Sequence, residues 1–336
     1  MPHARLTLLI AALTVLLVAC PGNPVTPEPP GTPPVSPPPQ PPAPPPPTSS
    51  AIVAPIDTQN RAAVATAFNT VYSGAENTLS LTDADWSVGD IAACKAGTTS
   101  SAFKNATLRR VNFYRALAGL PNVTWSSSGS GAADAQAALL MAANSRLSHA
   151  PGTDWRCYTA AGKAGAGSSN LAGGMDGPEA IDAYMDDGGG NNAPVGHRRW
   201  ILHPPRLEMA SGDVPGWNAL YVFGKTGARP SGVNFVAYPS PGFFPRDLLP
   251  RSRRWSFSVP NANFSGATVN VTLGGAALAV TTLPVQNGYG DHTLVWELPR
   301  SGVPATGDVA LEVRVGNVVV GGSAQTYAYT TRVFSP

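Results

Sequence analysis

The rhythm of apolar and polar positions changes several times along the chain, and each change marks a boundary. An apolar run from Leu6 to Ala19 follows Arg5 and stops at Cys20, and Pro21 to Ser50 is dominated by proline. Helical spacing then begins with Val64, Ala67, Phe68, Val71 and Tyr72, and Gly74 is placed to end that helix. A second helix is predicted from Phe103 to Leu117, with Leu108, Val111 and Tyr114 on one stripe and Gly119-Leu120-Pro121 as its stop. Ala132, Ala135, Gln136, Leu139, Leu140, Ala143 and Leu147 form a third stripe, whose small residues suit close packing, and Ser148-His149 follows at its end. A fourth helix starts at Asp176-Gly177-Pro178-Glu179 and turns Ile181, Tyr184 and Met185 inward, with Gly188-Gly189-Gly190 expected to end it. A short helical turn from His197 to Leu202 closes at Pro204-Pro205.

Strand patterns replace helical ones after this point. Leu207–Gly212, Asn218–Gly224 and Val233–Tyr238 are short, rich in Val, Phe and Tyr, and bounded by Gly and Pro. Helices first and strands later argue for an α+β layered domain rather than an alternating parallel sheet. Beyond Pro239-Ser240-Pro241-Gly242 the pattern is all strand: 255–259, 267–273, 277–284, 292–298, 309–315, 318–321 and 326–333. Gly274-Gly275 and Gly316-Asn317 read as tight turns, and the whole reads as an all-β immunoglobulin-like sandwich. The expected divisions are a signal peptide at 1–20, a Pro-rich disordered linker at 21–50, a layered domain at 51–239 and a β-sandwich at 240–336.

The opening segments add a location. The apolar run is too short to span a bilayer comfortably, and Leu17-Val18-Ala19-Cys20 resembles a bacterial lipoprotein processing site, in which the cysteine becomes the lipidated first residue. Acyl chains on Cys20 would hold the protein at a membrane surface without a spanning helix. The expected location is therefore the cell surface or periplasm, with the membrane as a partner through the lipid anchor. The proline run cannot bury enough apolar surface to offset its ordering entropy, so it reads as an extended spacer.

Composition narrows the partners. The 336 residues carry a formal charge of +2 with 12% charged residues, so counterion release offers little and nucleic acid is excluded as a partner. The one basic cluster, Arg246, Arg251, Arg253 and Arg254, reads as a solvated stretch between domains. Of three cysteines, Cys20 is taken by the anchor, which leaves Cys94 and Cys157 to pair as a disulfide outside the cytoplasm.

Several short motifs together carry a resemblance. Val111-Asn112-Phe113-Tyr114-Arg115 with Gly119-Leu120-Pro121 and Trp125, then Leu147-Ser148-His149, Asn170-Leu171-Ala172, Ala180-Ile181-Asp182-Ala183-Tyr184 and Gly196-His197-Arg198-Arg199-Trp200-Ile201-Leu202, resemble in this order the CAP superfamily. That superfamily covers cysteine-rich secretory, antigen 5 and pathogenesis-related proteins, and its shared unit is the SCP domain. The resemblance spans roughly Ala51 to Pro239 and implies an α-β-α sandwich with a central antiparallel sheet and a cleft on one side.

Family members often place two histidines and two acidic residues in that cleft and bind zinc or another divalent ion there. Carried over, the first histidine falls on His149 and the second on His197, the pair that would hold a metal. The first acid falls on Ser169 and is therefore missing; the second falls on Asp186 or Asp187, with Asp187 favoured by its distance from Tyr184. No catalytic residue is assigned. Asn112 and Arg115 read as structural polar anchors, and Trp155, Trp200, Trp217 and Tyr221 are candidates for an apolar groove, since the family includes lipid binders. The expectation is a non-catalytic module that binds an extracellular ligand or protein through a degenerate cleft of His149, Ser169, Asp187 and His197. The alternative is a zinc-dependent hydrolase acting on cell-wall or peptide substrates through His149, Asp187 and His197.

Overall fold

The computed structural model describes residues 16–18, 51–74, 81–82 and 85–336. Cys20, the Pro-rich spacer and most of the expected signal peptide lie outside the described residues. In chain order, the layered domain contains β1 (Leu16–Val18), α1 (Arg61–Ala67), β2 (Trp86–Ser87), β3 (Thr98–Thr99), α2 (Ser101–Leu117), β4 (Thr124–Trp125), α3 (Ser130–Asn144), α4 (Ala160–Gly167), β5 (Ser169–Gly173), α5 (Gly177–Asp186), α6 (Gly196–Ile201), β6 (Glu208–Val214) and β7 (Trp217–Tyr221). Its sheet runs β1-β5-β7-β6-β4, antiparallel except for the β4–β6 pair.

Alternation along the strands builds the two helical layers. Leu171 of β5 and Ala219 of β7 turn to α3 and α4, where they meet Ala137, Leu140, Met141 and Ala166. Ala172 and Leu220 turn the other way, to Leu108, Val111, Ile181 and Tyr184 of α2 and α5. The chain is therefore an α-β-α sandwich in this part. Asn60 starts α1 by accepting from the Ala62 and Ala63 N–H groups, Ser100 caps α2 at Phe103 N, and Thr159 caps α4 at Gly162 N. Cys94 and Cys157 are bonded, tying the β2–β3 hairpin region to the α3–α4 connection.

Three local expectations change. Helix α1 passes at Phe68 into a π-helical stretch that runs to Tyr72, so the helix predicted from the Val64–Tyr72 spacing is not one uniform α-helix. The fourth helix ends at Asp187, in the left-handed region at φ 52°, one residue before the glycines expected to end it. Helix α4 has no counterpart in the sequence reading, because Ala-Ala-Gly-Lys-Ala-Gly-Ala-Gly offers no apolar stripe. Its glycines serve contact instead: a Cβ on Gly165 would stand 2.5 Å from the Ala133 carbonyl oxygen of α3.

The C-terminal part holds β8 (Val236–Tyr238), β9 (Gly242–Pro245), β10 (Arg254–Val259), β11 (Thr268–Leu273), β12 (Ala276–Leu278), β13 (Thr281–Thr282), β14 (His292–Glu297), β15 (Val309–Val320) and β16 (Ser323–Phe334). They form two sheets, β13-β14-β10-β8 and β12-β11-β15-β16-β9. Trp255, Phe257 and Trp296 of the first face Val271, Val313 and Val333 of the second across a common core. In immunoglobulin lettering the orders are D-E-B-A and C′-C-F-G-A′, with the A strand changing sheets between β8 and β9 and β9 running parallel to β16. Strand β8, whose residues precede the Pro-Ser-Pro-Gly stretch, pairs with β10 of this sandwich.

Gly274-Gly275 turns the β11–β12 hairpin as expected. Gly316-Asn317 does not turn the chain. It forms a bulge inside β15, where the register shifts between Val315 and Val318, and the reversal falls at Gly321-Gly322. Asn317 adopts φ 55° in the bulge, and Gly321 and Gly322 adopt 58° and 83° in the reversal, so a residue that tolerates positive φ serves a bulge as readily as a hairpin.

Candidate functional site

The site is built where the C-terminal end of α5, the start of α6 and strand β5 meet. Asp187 caps α5, and its carboxylate accepts from His197 Nδ1 at 2.7 Å and from the Arg198 backbone N–H at 3.3 Å. Both side chains are fully buried. The His197 ring stacks on Tyr184, with centroids 5.2 Å apart and planes 22° apart, and its carbonyl oxygen accepts from Asn170 Nδ2 at 3.1 Å. The Tyr184 hydroxyl in turn donates toward Asn170 O at 3.1 Å and Asn218 Oδ1 at 2.8 Å. The i, i+3 distance from Tyr184 to Asp187 thus places ring and carboxylate around one imidazole.

The other two candidates stand apart from this cluster. Ser169 precedes Asn170 on β5, so its side chain leaves the opposite face of the sheet, where the hydroxyl donates to Asp134 Oδ1 at 3.1 Å. Asp134, on the Ala-rich face of α3, is a functional-looking residue that the sequence reading missed. It is fully buried, and burial pushes its carboxyl well above the usual carboxylate range. His149 lies in the α3–α4 connection, and its Nδ1–H donates to the Ala166 carbonyl at 2.7 Å on the α4 side.

Zinc needs three or four converging ligands, and among the described residues no group of three or more His, Cys, Asp or Glu side chains is arranged to hold one. The Asp187 carboxylate stands behind the His197 imidazole, bonded to its Nδ1 and to the Arg198 backbone N–H.

The two arginines after His197 reach a different destination. Arg198 is fully buried, donates to the carbonyls of Met185 (2.7 Å) and Asp186 (3.1 Å) in its own domain, and crosses to the Arg254 carbonyl (2.8 Å) and Ser256 Oγ (3.2 Å) of β10. Its guanidinium also lies over the Tyr238 ring at 4.6 Å. Arg199 donates to the carbonyls of Gln286 at 2.7 Å and Asp291 at 2.9 Å. From the other side, Arg254 reaches the carbonyls of Asp187 (3.2 Å) and Gly189 (2.8 Å) while pairing with Glu297 at 3.1 Å. The Gly-His-Arg-Arg segment is thus a junction between the layered domain and the sandwich.

The remaining candidates resolve into packing. Arg115 donates to the carbonyls of Pro121, Ile201, His203 and Arg206, and Asn112 spans Ala51 and Val123, both as structural anchors. Asp182 gathers Arg110, Tyr114 Oη at 2.9 Å and Tyr72 Oη at 3.1 Å. Of the four aromatics proposed for a groove, Trp155 and Trp217 pack with the α3–α4 cluster, Trp217 also over Gly173, while Trp200 packs against Phe223 and the Tyr221 hydroxyl donates to the Phe223 carbonyl at 3.1 Å. In the basic cluster Arg246 and Arg253 donate to carbonyls of the sandwich, while Arg251 is exposed and 3.9 Å from Asp186.

Residues 108–224 match the family model described as the cysteine-rich secretory protein family, CAP. The matched stretch holds β5, α5, α6 and both histidines discussed above, which supports the CAP resemblance of the layered domain. No curated protein matches the chain. No helix among the described residues is long and apolar enough to cross a membrane.

Proposed function

We propose that this chain is a lipid-anchored extracytoplasmic protein whose CAP-like domain and β-sandwich form a non-catalytic module for binding a ligand or partner. The observation that carries this reading is the enclosure of His197 between Asp187 and Tyr184, in a segment whose arginines bond the layered domain to the sandwich. The Gly-His-Arg-Arg segment bonds the two domains to each other, which suits a structural role for it. The disulfide and the CAP match suit an extracytoplasmic setting. Lipidation of Cys20 rests on the sequence motif.

Two experiments test the proposal. Pure protein incubated with peptide, peptidoglycan and ester substrates is expected to give no turnover above the uncatalysed rate; turnover that disappears in His149→Ala or His197→Ala would overturn the non-catalytic reading. Cys20→Ser is expected to release the protein from membranes into the soluble fraction, and unchanged membrane retention would remove the anchor.

A further inference from the structure

Strand β6 outruns its outer neighbour. Strand β4 pairs only with Glu208 and Met209, so the edge of β6 from Ala210 to Asp213 has no strand beside it among the described residues. A cavity of about 250 Å³ lies against that edge, roughly eight water-sized volumes. It is walled by the Gly97–Thr99 side of the β2–β3 hairpin, the start of α3, Trp125 and Lys104, and it includes none of His149, Ser169, Asp187 and His197.

The charged and polar groups around this space include Lys104, Asp213, Trp125, Gln136 and Thr99. Lys104 is half-buried, and its ammonium is attracted by the Asp213 carboxylate across the cavity without closing an ion pair with it. Trp125 lines the cavity, and its buried Nε1–H has no hydrogen-bond partner. Helix α3 begins without a side-chain cap, with Gly129, Gly131 and Ala132 in the cavity wall, so its first N–H groups add positive potential. Asp213 also lies in the wall, yet its oxygens are already engaged by Gly177 N–H at 2.8 Å, Asn218 Nδ2 at 2.6 Å and Ser211 Oγ at 3.0 Å. Ala96, Ala132, Ala135 and Ala210 supply methyl surface.

We propose that this cavity binds a small carboxylate, with the carboxylate group at Lys104 and the start of α3 and a short apolar substituent against the alanines. A half-buried ammonium beside the uncapped start of a helix suits an anionic acceptor, and a volume of about 250 Å³ suits a small one. Two sources share this chemistry: a free short-chain acid, or the C-terminus of a peptide whose backbone would continue along the open edge of β6. The proposal stands on its own observations and does not depend on the enclosure of His197.

Calorimetric titration of the full chain with butyrate, N-acetylalanine and N-acetylalaninamide tests it. Both acids are expected to bind in the millimolar range and the amide not to bind. Lys104→Met should weaken the acids by about tenfold, the loss of one charge-assisted contact. Ala132→Phe, which fills the cavity from an exposed position, should abolish binding with the melting temperature retained. Tighter binding of N-acetylalanine than of butyrate supports the proposal with a peptide C-terminus as source, and equal affinity supports it with a free acid. Equal binding of acid and amide, wild-type affinity in Lys104→Met, or no binding of either acid at millimolar concentration would overturn it.

Discussion

His197 and Asp187 form one buried, bonded pair. The carboxylate holds the imidazole Nδ1–H and the first N–H of the arginine behind it, so its removal leaves two buried donors without an acceptor. Asp187→Ala should cost about 2–4 kcal/mol in urea unfolding, from unsatisfied groups together with the loss of a residue tolerant of the left-handed region. Asp187→Asn, which keeps an acceptor and accepts positive φ, should cost less than half of that. Asp213 provides the pH dependence. Burial raises its carboxyl to about 6, against 3.8 in its ordinary state, despite three hydrogen bonds to it. The folded protein therefore holds this proton more tightly than the unfolded chain. The resulting stability is fully present below the unfolded value and is lost as pH rises through the folded one. Comparing urea unfolding at about pH 4 and about pH 7, Asp213→Asn should remove roughly 2 kcal/mol of the wild-type decline; an equal decline in both proteins would contradict the assignment. The sequence pointed to His149, Asp187 and His197 because their motifs are local. It was silent on Asp134 and Asp213, because a lone carboxylate in an alanine-rich helix or a strand gains meaning only when the sheet sets Ser169 or Gly177 beside it.

At the level of elements, periodic segments were legible and glycine-dependent ones were not. Helices α2, α3 and α5 carry apolar stripes and fall close to their expected positions, with caps at Ser100 and Pro178 near the start of α5. Helix α4 escaped notice because its reason for existing lies in another helix. The Gly162 and Gly165 backbones approach Gln136 O and Ala133 O of α3, and a side chain would hold them apart. Gly165→Ala should therefore destabilise by about 1–3 kcal/mol through overpacking, despite the helix propensity gained. Gly131→Ala, whose Cβ would meet nothing nearer than the Ser211 carbonyl at 3.5 Å, should be neutral or stabilise by up to about 1 kcal/mol. Thermal melts of the two variants check both signs, and equal shifts would show that propensity rather than contact governs these positions. The bulge at Gly316-Asn317 belongs to the same class: backbone sign is readable from sequence, but whether it bends a strand or reverses it depends on the partner strand. Strand β8 likewise needed β10 to reveal which sheet it joins.

For the whole molecule, the α-β-α sandwich and the immunoglobulin-like sandwich could be inferred separately, from helices preceding strands and from a dense series of short strands. What joins them could not, because the joining groups are arginine side chains bonded to carbonyls far away in sequence. Arg198 and Arg199 cross from α6 to β10 and to the loop before β14, Arg254 crosses back, and Arg61 of α1 pairs with Asp308 at 2.9 Å. These contacts turn a motif of potential cleft residues into a mechanical junction, and they explain why a buried histidine lies between two domains. Arg198→Met tests this most directly, because it keeps the volume of the side chain and removes every donor. Urea unfolding followed by both tryptophan fluorescence and circular dichroism should show one cooperative transition for the wild type. In Arg198→Met the account predicts a loss of about 3–5 kcal/mol and two separated transitions, as the carbonyls of Met185, Asp186 and Arg254 lose their shared donor. A single transition at the wild-type midpoint would contradict it.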